Sequence, residues 1–88
     1  MTAIDRQLRR QFERYMDQPD HTEQVIVTLT ADADRGELER LGMVVISEMS
    51  HQPIVVGTIN SLTLNALSKW RGVVCIELDG TDMQALDP

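Results

Sequence analysis

The chain has 88 residues, with a hydrophobic content of 42% and a charged content of 25%, values typical of one globular domain with a single small core. Its formal net charge of −6 argues against a nucleic-acid binder and against a protein that lies on an anionic membrane, because both need a basic surface. No apolar run approaches the roughly 20 residues that span a bilayer. No secretory signal opens the sequence, so we expect a cytoplasmic protein.

The first segment, residues 1–18, is predicted to be an amphipathic helix that covers residues 2–17 and begins at Thr2 as N-cap. Pro19 follows the segment, and proline cannot continue a helix. Four apolar residues recur every four positions and form a narrow stripe: Ile4, Leu8, Phe12 and Met16. This stripe needs a partner, either the uncovered face of a sheet in the same chain or a second copy of the protein. In the second case, Ile4, Leu8 and Phe12 form a homodimer contact.

The second segment, residues 24–80, is predicted to contain four strands and two helices. The predicted strands are 24–30, 43–49, 53–59 and 73–78, and the predicted helices are 32–41 and 61–70. The order β-α-β-β-α-β makes two right-handed βαβ units, which give a four-stranded antiparallel sheet with both helices on one face. We therefore expect an α+β fold of the ferredoxin-like type, to which the N-terminal amphipathic helix is added.

The ends and buried edges of these two helices follow from their sequences. Either Asp32 or Asp34 is expected to cap the first helix, and Gly42 is expected to end it in the way of a C-terminal glycine. Either Asn60 or Ser61 is expected to cap the second helix. The residues expected to be buried on that helix are Leu62, Ala66, Leu67 and Trp70.

The residues give little support to an enzyme. His21 and His51 stand alone in polar turns, where we expect both to be exposed, whereas a catalytic metal needs about three convergent ligands. Neither a Gly-rich phosphate loop nor a G-x-S-x-G nucleophile motif occurs. The single cysteine, Cys75, lies in an apolar run and is expected to be a small buried residue. We expect a binding protein rather than an enzyme, with no cofactor and no metal.

The last predicted strand ends in two carboxylates, and the rest of the chain is organised around it. Glu77 and Asp79 are two residues apart and are expected to lie on one face, because side chains alternate along a strand. After Gly80, residues 81–88 have neither a helix cap nor strand alternation. We expect this third segment to be an extended C-terminal tail that another molecule can hold.

From Gln24 to about Leu86, the chain resembles the subtilisin-propeptide family of peptidase inhibitors. The similar pieces are the strand Val25–Leu29, the Leu41-Gly42 turn and the segment Leu62–Asp79. That last segment follows the pattern of a short helix, a glycine and a V-x-x-V/I-E-x-D strand. The resemblance supports the ferredoxin-like expectation for this part of the chain.

The resemblance also implies a function. In the family, the open sheet face docks on a subtilisin-like serine protease, and the tail runs through the cleft as a product-like strand. By this resemblance, Glu77 and Asp79 cap the N-termini of two protease helices. Helix N-termini offer unpaired N–H groups and a partial positive charge, both of which a carboxylate satisfies.

Two tail registers fit the four cleft subsites. One places Asp82-Met83-Gln84-Ala85 there, and the other places Met83-Gln84-Ala85-Leu86. We favour the second register, because burial of a charged Asp82 in an apolar pocket is costly. The residues expected to bind the partner are therefore Glu77, Asp79, Met83, Gln84, Ala85 and Leu86. Because no protease follows Pro88, we expect a stand-alone inhibitor or folding assistant rather than a propeptide.

Two other functions remain open. One is a dimeric regulatory module on the same fold that binds a small ligand, in the manner of amino-acid-sensing ACT domains. Those domains usually have a glycine in the loop after the first strand, and residues 31–34 contain none. The other is a plain protein-interaction domain whose contact is Ile4, Leu8 and Phe12. We rank both below the inhibitor.

Overall fold

A computed structural model of the protein describes residues 2–79, and this part of the chain contains five strands and three helices. In chain order they are β1 (Ala3–Ile4), α1 (Arg6–Arg14), β2 (Glu23–Leu29), α2 (Gly36–Arg40), β3 (Val44–Glu48), β4 (Ile54–Ile59), α3 (Ser61–Lys69) and β5 (Val73–Leu78). The α+β class expected from the sequence is confirmed. The expected four-stranded sheet is wrong, because the described residues form a sheet of five strands.

The strand order across the sheet is β1-β5-β2-β4-β3. β1 runs parallel to β5, whereas β5, β2, β4 and β3 pair with their neighbours in the antiparallel sense. β2 and β4 are therefore interior strands, β1 and β3 are the two edges, and β5 lies beside the short edge strand. β5 has the bounds predicted for the last strand, and the other three predicted strands agree to within a residue or two at each end.

The additional strand comes from residues that were expected to begin the first helix. Ala3 lies opposite Cys75, Ile4 lies opposite Ile76, and the backbone N–H of Asp5 donates to the Ile76 carbonyl at 2.9 Å. The Thr2 hydroxyl donates to the carbonyl of Val73 at 3.3 Å. Thr2 therefore fixes the chain to β5 instead of capping a helix.

The N-cap of α1 is Asp5, so the predicted helix over residues 2–17 starts too early and ends too late. One carboxylate oxygen of Asp5 accepts from the Gln7 N–H at 3.1 Å, and the other accepts from the Leu78 N–H at 3.2 Å. The same side chain thus satisfies a free helix N–H and joins the helix to the end of β5. Tyr15 is the C-cap, and Met16 lies beyond the helix with 81% of its surface exposed.

All three helices contribute to one apolar core. Leu8 and Phe12 of α1, Leu38 of α2 and Leu67 of α3 pack with alternate residues of the strands. The strand residues in this core are Val25, Val27, Leu29, Val55, Ile59, Val73 and Ile76. Because side chains alternate along a strand, these residues define one face of the sheet, and the three helices cover that face.

The helices after β2 and β4 differ from their predicted forms in detail. α2 is shorter than predicted, and the expected cap is wrong, because the N-cap is Arg35 and neither Asp32 nor Asp34. Asp34 accepts from the Gly36 N–H at 3.0 Å in the turn just before the helix. Gly42 has a φ of 107°, so it ends α2 with a left-handed residue, as predicted. Asn60 is confirmed as the N-cap of α3 and accepts from the Thr63 N–H at 2.9 Å.

The predicted buried edge of α3 is partly wrong. Leu67 is fully buried, but Leu62 is 74% exposed, and Thr63 lies in the interior instead. Thr63 and Leu67 are one turn apart and face the sheet together, so Leu62 is rotated about a quarter of a turn away from it. Gly42 lies against Thr63, since a Cβ atom at Gly42 would be 2.5 Å from the Thr63 hydroxyl oxygen.

Candidate protein-interaction face

Within residues 2–79, the face of the sheet opposite the three helices has no element packed over it. We call it the bare face. On β2, β4 and β5, the residues that point to it alternate with the core residues: Gln24, Ile26, Thr28, Ile54, Val56, Thr58, Cys75 and Glu77. All are half-buried or exposed, whereas their neighbours in the same strands that point to the core are buried or packed against it. The strands are thus accessible from one side.

The leading helix lies on the covered face. Leu8 is 0% exposed and Phe12 is 8% exposed, and both belong to the core that includes Leu38 and Leu67. The sequence left two partners open for this stripe, the uncovered sheet face or a second copy. In the described structure, the stripe packs instead on the covered face, in the same core as the other two helices. Ile4 lies beside Ile76 in the sheet and is half-buried. The homodimer contact, which the sequence left open as the second alternative, has little exposed apolar surface, because Leu8 and Phe12 are inside the chain's own core.

The two carboxylates of the last strand lie at one end of the bare face. Glu77 is opposite Ile26, and the Asp79 N–H continues the ladder by donating to the Gln24 carbonyl at 2.9 Å. The side-chain amide of Gln24 donates to Asp79 Oδ2. Since Gln24 and Ile26 share the bare face, Glu77 and Asp79 share it too, as the alternation predicts. Glu77 is exposed, and Asp79 is half-buried.

Cys75 is on the bare face, and the expectation that it is buried is wrong. It is half-buried, and its Sγ lies 3.4 Å from Glu77 Oε1. The reason is an irregularity in the β2–β5 ladder, where Thr28 pairs with Cys75 but Leu29 pairs with Val73. The extra residue, Val74, allows Val73 and Ile76 to point to the core while Cys75 points away from it. An apolar run alone does not reveal such a bulge.

The remaining predicted partner-binding residues, Met83, Gln84, Ala85 and Leu86, lie outside the described residues. The choice between the two tail registers therefore stays a prediction. Gly80, which precedes the predicted tail of residues 81–88, also lies outside them.

The two histidines have different environments. His51 is exposed in the turn between β3 and β4, as expected. His21 is half-buried, because its ring stacks on Tyr15 at 4.0 Å between centroids and meets the edge of Phe12 at 6.0 Å. Its Nε2 contacts the carboxylate of Glu23. The expectation of an exposed turn histidine is thus wrong for His21, which packs the end of α1 onto the start of β2.

Neither a membrane span nor a metal site is found in the described part of the chain. None of its helices has the length and apolar character needed to cross a bilayer. Among residues 2–79, no three His, Cys, Asp or Glu side chains are grouped so that they could hold a metal ion.

A basic surface on α1 is a feature that the sequence reasoning did not single out. Four exposed arginines occupy this helix of nine residues: Arg6, Arg9, Arg10 and Arg14. The signal was present in the sequence, because Arg6, Arg10 and Arg14 repeat every four residues and so lie along one side of a helix. The negative net charge of the whole chain conceals this local excess of positive charge.

Comparison of the sequence with protein-family models and with curated proteins finds no match.

Proposed function

We propose that the protein is a stand-alone inhibitor of a subtilisin-like serine protease, and that it acts by binding rather than by catalysis. The bare face docks on the protease, Glu77 and Asp79 cap two of its helices, and residues 83–86 enter its cleft. The observation that supports this proposal is the placement of both carboxylates at one end of a sheet face that no described element covers. The resemblance to the inhibitor family, which implies the capping role of Glu77 and Asp79, is its other support.

We also propose that β2 to β5, with α2 and α3, form a ferredoxin-like unit. Its support is the order β5-β2-β4-β3 of four antiparallel strands. α2 connects β2 to β3, and α3 connects β4 to β5, so each helix joins two strands that are separated by one other strand. Both helices contribute to the same core, which is the layered arrangement expected of this fold.

The composition of the bare face suits a protein partner. Ile26, Ile54 and Val56 provide an apolar centre on adjacent strands, and the threonines Thr28 and Thr58 lie beside them. An apolar centre with polar neighbours is typical of protein interfaces. The face therefore offers both desolvated contact area and hydrogen-bonding groups.

The carboxylates suit the capping role for a separate reason. The free N–H groups at a helix N-terminus and the partial positive charge there favour a carboxylate. The Gln24 amide holds the Asp79 carboxylate at the strand end, so less side-chain freedom is lost on docking. Glu77 is exposed beside it and can reach a foreign surface.

Measured inhibition of a panel of subtilases by the full chain tests the proposal. Glu77→Gln removes the charge but keeps the size of the side chain, and we expect it to weaken inhibition by about tenfold, because hydrogen bonds to charged groups contribute about 1.5–3 kcal/mol. Glu39→Gln is the matched control, since Glu39 is exposed on α2, across the sheet from the bare face. Equal inhibition by both variants would contradict the capping role.

Removal of residues 81–88 tests the role of the tail. We expect the shortened chain to lose inhibition and to keep the melting temperature of the full chain, because the core lies within the described residues. A full chain that inhibits no member of the panel would contradict the proposed function as a whole.

One observation favours the ligand-binding alternative. A hollow of about 360 Å³ lies beside the loop between β2 and α2, where ACT-like modules hold their ligand. It is lined by Thr30, Asp32, Ala33, Asp34, Glu37, Trp70, Arg71 and Gly72. We rank this alternative second, because a ligand there would meet three carboxylates and a single arginine. A rise in melting temperature with any free amino acid would favour it over the inhibitor.

A further inference from the structure

The basic surface of α1 carries half of the chain's lysines and arginines. The chain has 8 of them in all, and four are exposed on this helix of nine residues: Arg6, Arg9, Arg10 and Arg14. Within the helix, Glu13 is the only acidic residue. The whole chain has 14 acidic residues, so positive charge is concentrated on one element of an acidic molecule.

These four arginines do not hold the fold together. Among residues 2–79, none of their side chains forms an ion pair or a hydrogen bond. Arg35, by contrast, donates to the Met49 carbonyl at 2.9 Å and to the Gln52 carbonyl at 2.6 Å. Arg40 pairs with Glu37 at 3.7 Å. The arginines of α1 are therefore available to bind another molecule.

Their arrangement destabilises the free helix. Arg6, Arg10 and Arg14 occupy every fourth position, so like charges are neighbours along the helix surface and repel one another. We call these three residues the arginine row. Arg6 is also the first residue of α1, where the partial positive charge of the helix N-terminus disfavours a cation. A negatively charged partner relieves both effects.

A groove lies on each side of the arginine row. The groove between α1 and α3 has a volume of about 340 Å³ and is lined by Arg9, Phe12, Glu13, Met16 and Leu64. The groove beside the end of β5 has a volume of about 200 Å³ and is lined by Gln7, Arg10, Gln11, Arg14 and Leu78. The first groove offers the larger apolar contact, because Met16 is 81% exposed there.

The dimensions of this surface suit an acidic protein segment. α1 is about 14 Å long, so it matches a few residues of peptide. The acidic surface around it repels a nucleic acid or an anionic membrane, both of which extend far beyond the helix. Successive members of the arginine row are about 6 Å apart along the axis, close to the roughly 6.6 Å between alternate residues of an extended strand.

We infer that the basic surface of α1 binds an acidic segment of a partner protein, which lies along the helix in extended form. Alternate side chains of such a segment point to opposite sides. Carboxylates on one side pair with the arginine row, and an apolar side chain on the other side enters the groove between α1 and α3. α1 packs on the covered face of the sheet, so this site is separate from the bare face and independent of any protease.

NMR titration of the full chain tests the inference. The probe is the capped peptide acetyl-ESELESE-amide, and its matched control is acetyl-QSQLQSQ-amide, which keeps the leucine but has no carboxylate. We expect only the acidic peptide to change the backbone amide shifts of residues 6–16. The change should diminish as the NaCl concentration rises from about 20 mM to about 500 mM, because exposed charges are screened. An acidic peptide that leaves these signals unchanged overturns the inference.

Two variants of equal net charge locate the site. Arg6→Gln/Arg10→Gln/Arg14→Gln removes the arginine row and keeps the helix, because glutamine is a good helix former. Binding of the acidic peptide should weaken about tenfold, since three exposed charge pairs are lost. The control, which should bind as tightly as wild type, removes three exposed basic residues outside α1: Arg40→Gln/Lys69→Gln/Arg71→Gln. Equal weakening in both variants overturns the inference, because net charge alone then explains it.

Other occupants of the surface are distinguished by the same spectra. A single-stranded oligonucleotide and phosphatidylserine vesicles are compared with the acidic peptide at equal total charge. If either of them changes the signals of residues 6–16 more strongly than the peptide does, the partner is not a protein segment and the inference fails. It also fails if these signals depend on protein concentration without any peptide, since a second copy then occupies the surface.

Discussion

The two faces of the sheet are built by the same strands but differ in their exposure to solvent. In β2, Val25, Val27 and Leu29 are buried under the helices, while Ile26 and Thr28 between them are half-buried. The difference arises from the helices, since α1, α2 and α3 all pack on one side. An additional N-terminal helix has therefore enlarged the core without closing the other face.

The largest expected effect distinguishes the core side of α3 from its outer side. Leu67→Ala deletes a fully buried side chain, and we expect a loss of about 2–5 kcal/mol in the free energy of unfolding. Leu62→Ala, on the same helix but 74% exposed, should change it by less than about 0.5 kcal/mol. Urea unfolding measures both. Similar losses would mean that α3 is rotated relative to the sheet.

A pair of substitutions at adjacent positions of β2 compares the two faces directly. Val27→Thr puts a hydroxyl into the core and should cost about 1–3 kcal/mol of stability. Thr28→Val makes the reverse change on the bare face and should alter stability by less than about 0.5 kcal/mol. Because both residues are β-branched and of similar shape, strand propensity is nearly constant. Equal costs would contradict the assignment of the two faces.

A smaller effect on stability is expected at the start of α3, one of the helices that pack on the covered face. Asn60→Ala removes the oxygen that accepts from the Thr63 N–H and should destabilise the protein by about 1 kcal/mol. Asn65→Ala replaces an exposed asparagine inside the same helix with a better helix former, so it should be neutral or slightly stabilising. Thermal unfolding of the two variants checks the cap, and a stable Asn60→Ala would contradict its role.

The elements of the second segment could be predicted because their signals are local. β-branched runs marked the strands, Asn60 marked a helix start, and Gly42 marked a helix end. The α+β class followed from the order of these elements. The placement of Glu77 and Asp79 on one face followed from strand alternation alone.

The N-terminal segment could not be predicted in the same way, because its form depends on distant residues. Thr2 and Asp5 both resemble helix caps in sequence, and the contacts of Thr2 with Val73 and of Asp5 with Leu78 decide between them. The same is true of Cys75, whose direction is set by a bulge opposite Leu29. Contacts between residues 44 or more positions apart leave no local trace in the sequence.

The most direct measurement of the bare face uses the chain's only cysteine, which lies on that face in β5, beside Thr28 of β2. We expect the native full chain to react with a thiol-specific reagent at Cys75, at a rate that does not follow the rate of global unfolding. If that face is open, reaction occurs while the core stays folded. Reaction that occurs only as fast as the protein unfolds would mean that part of the chain covers the face, and the account would be contradicted.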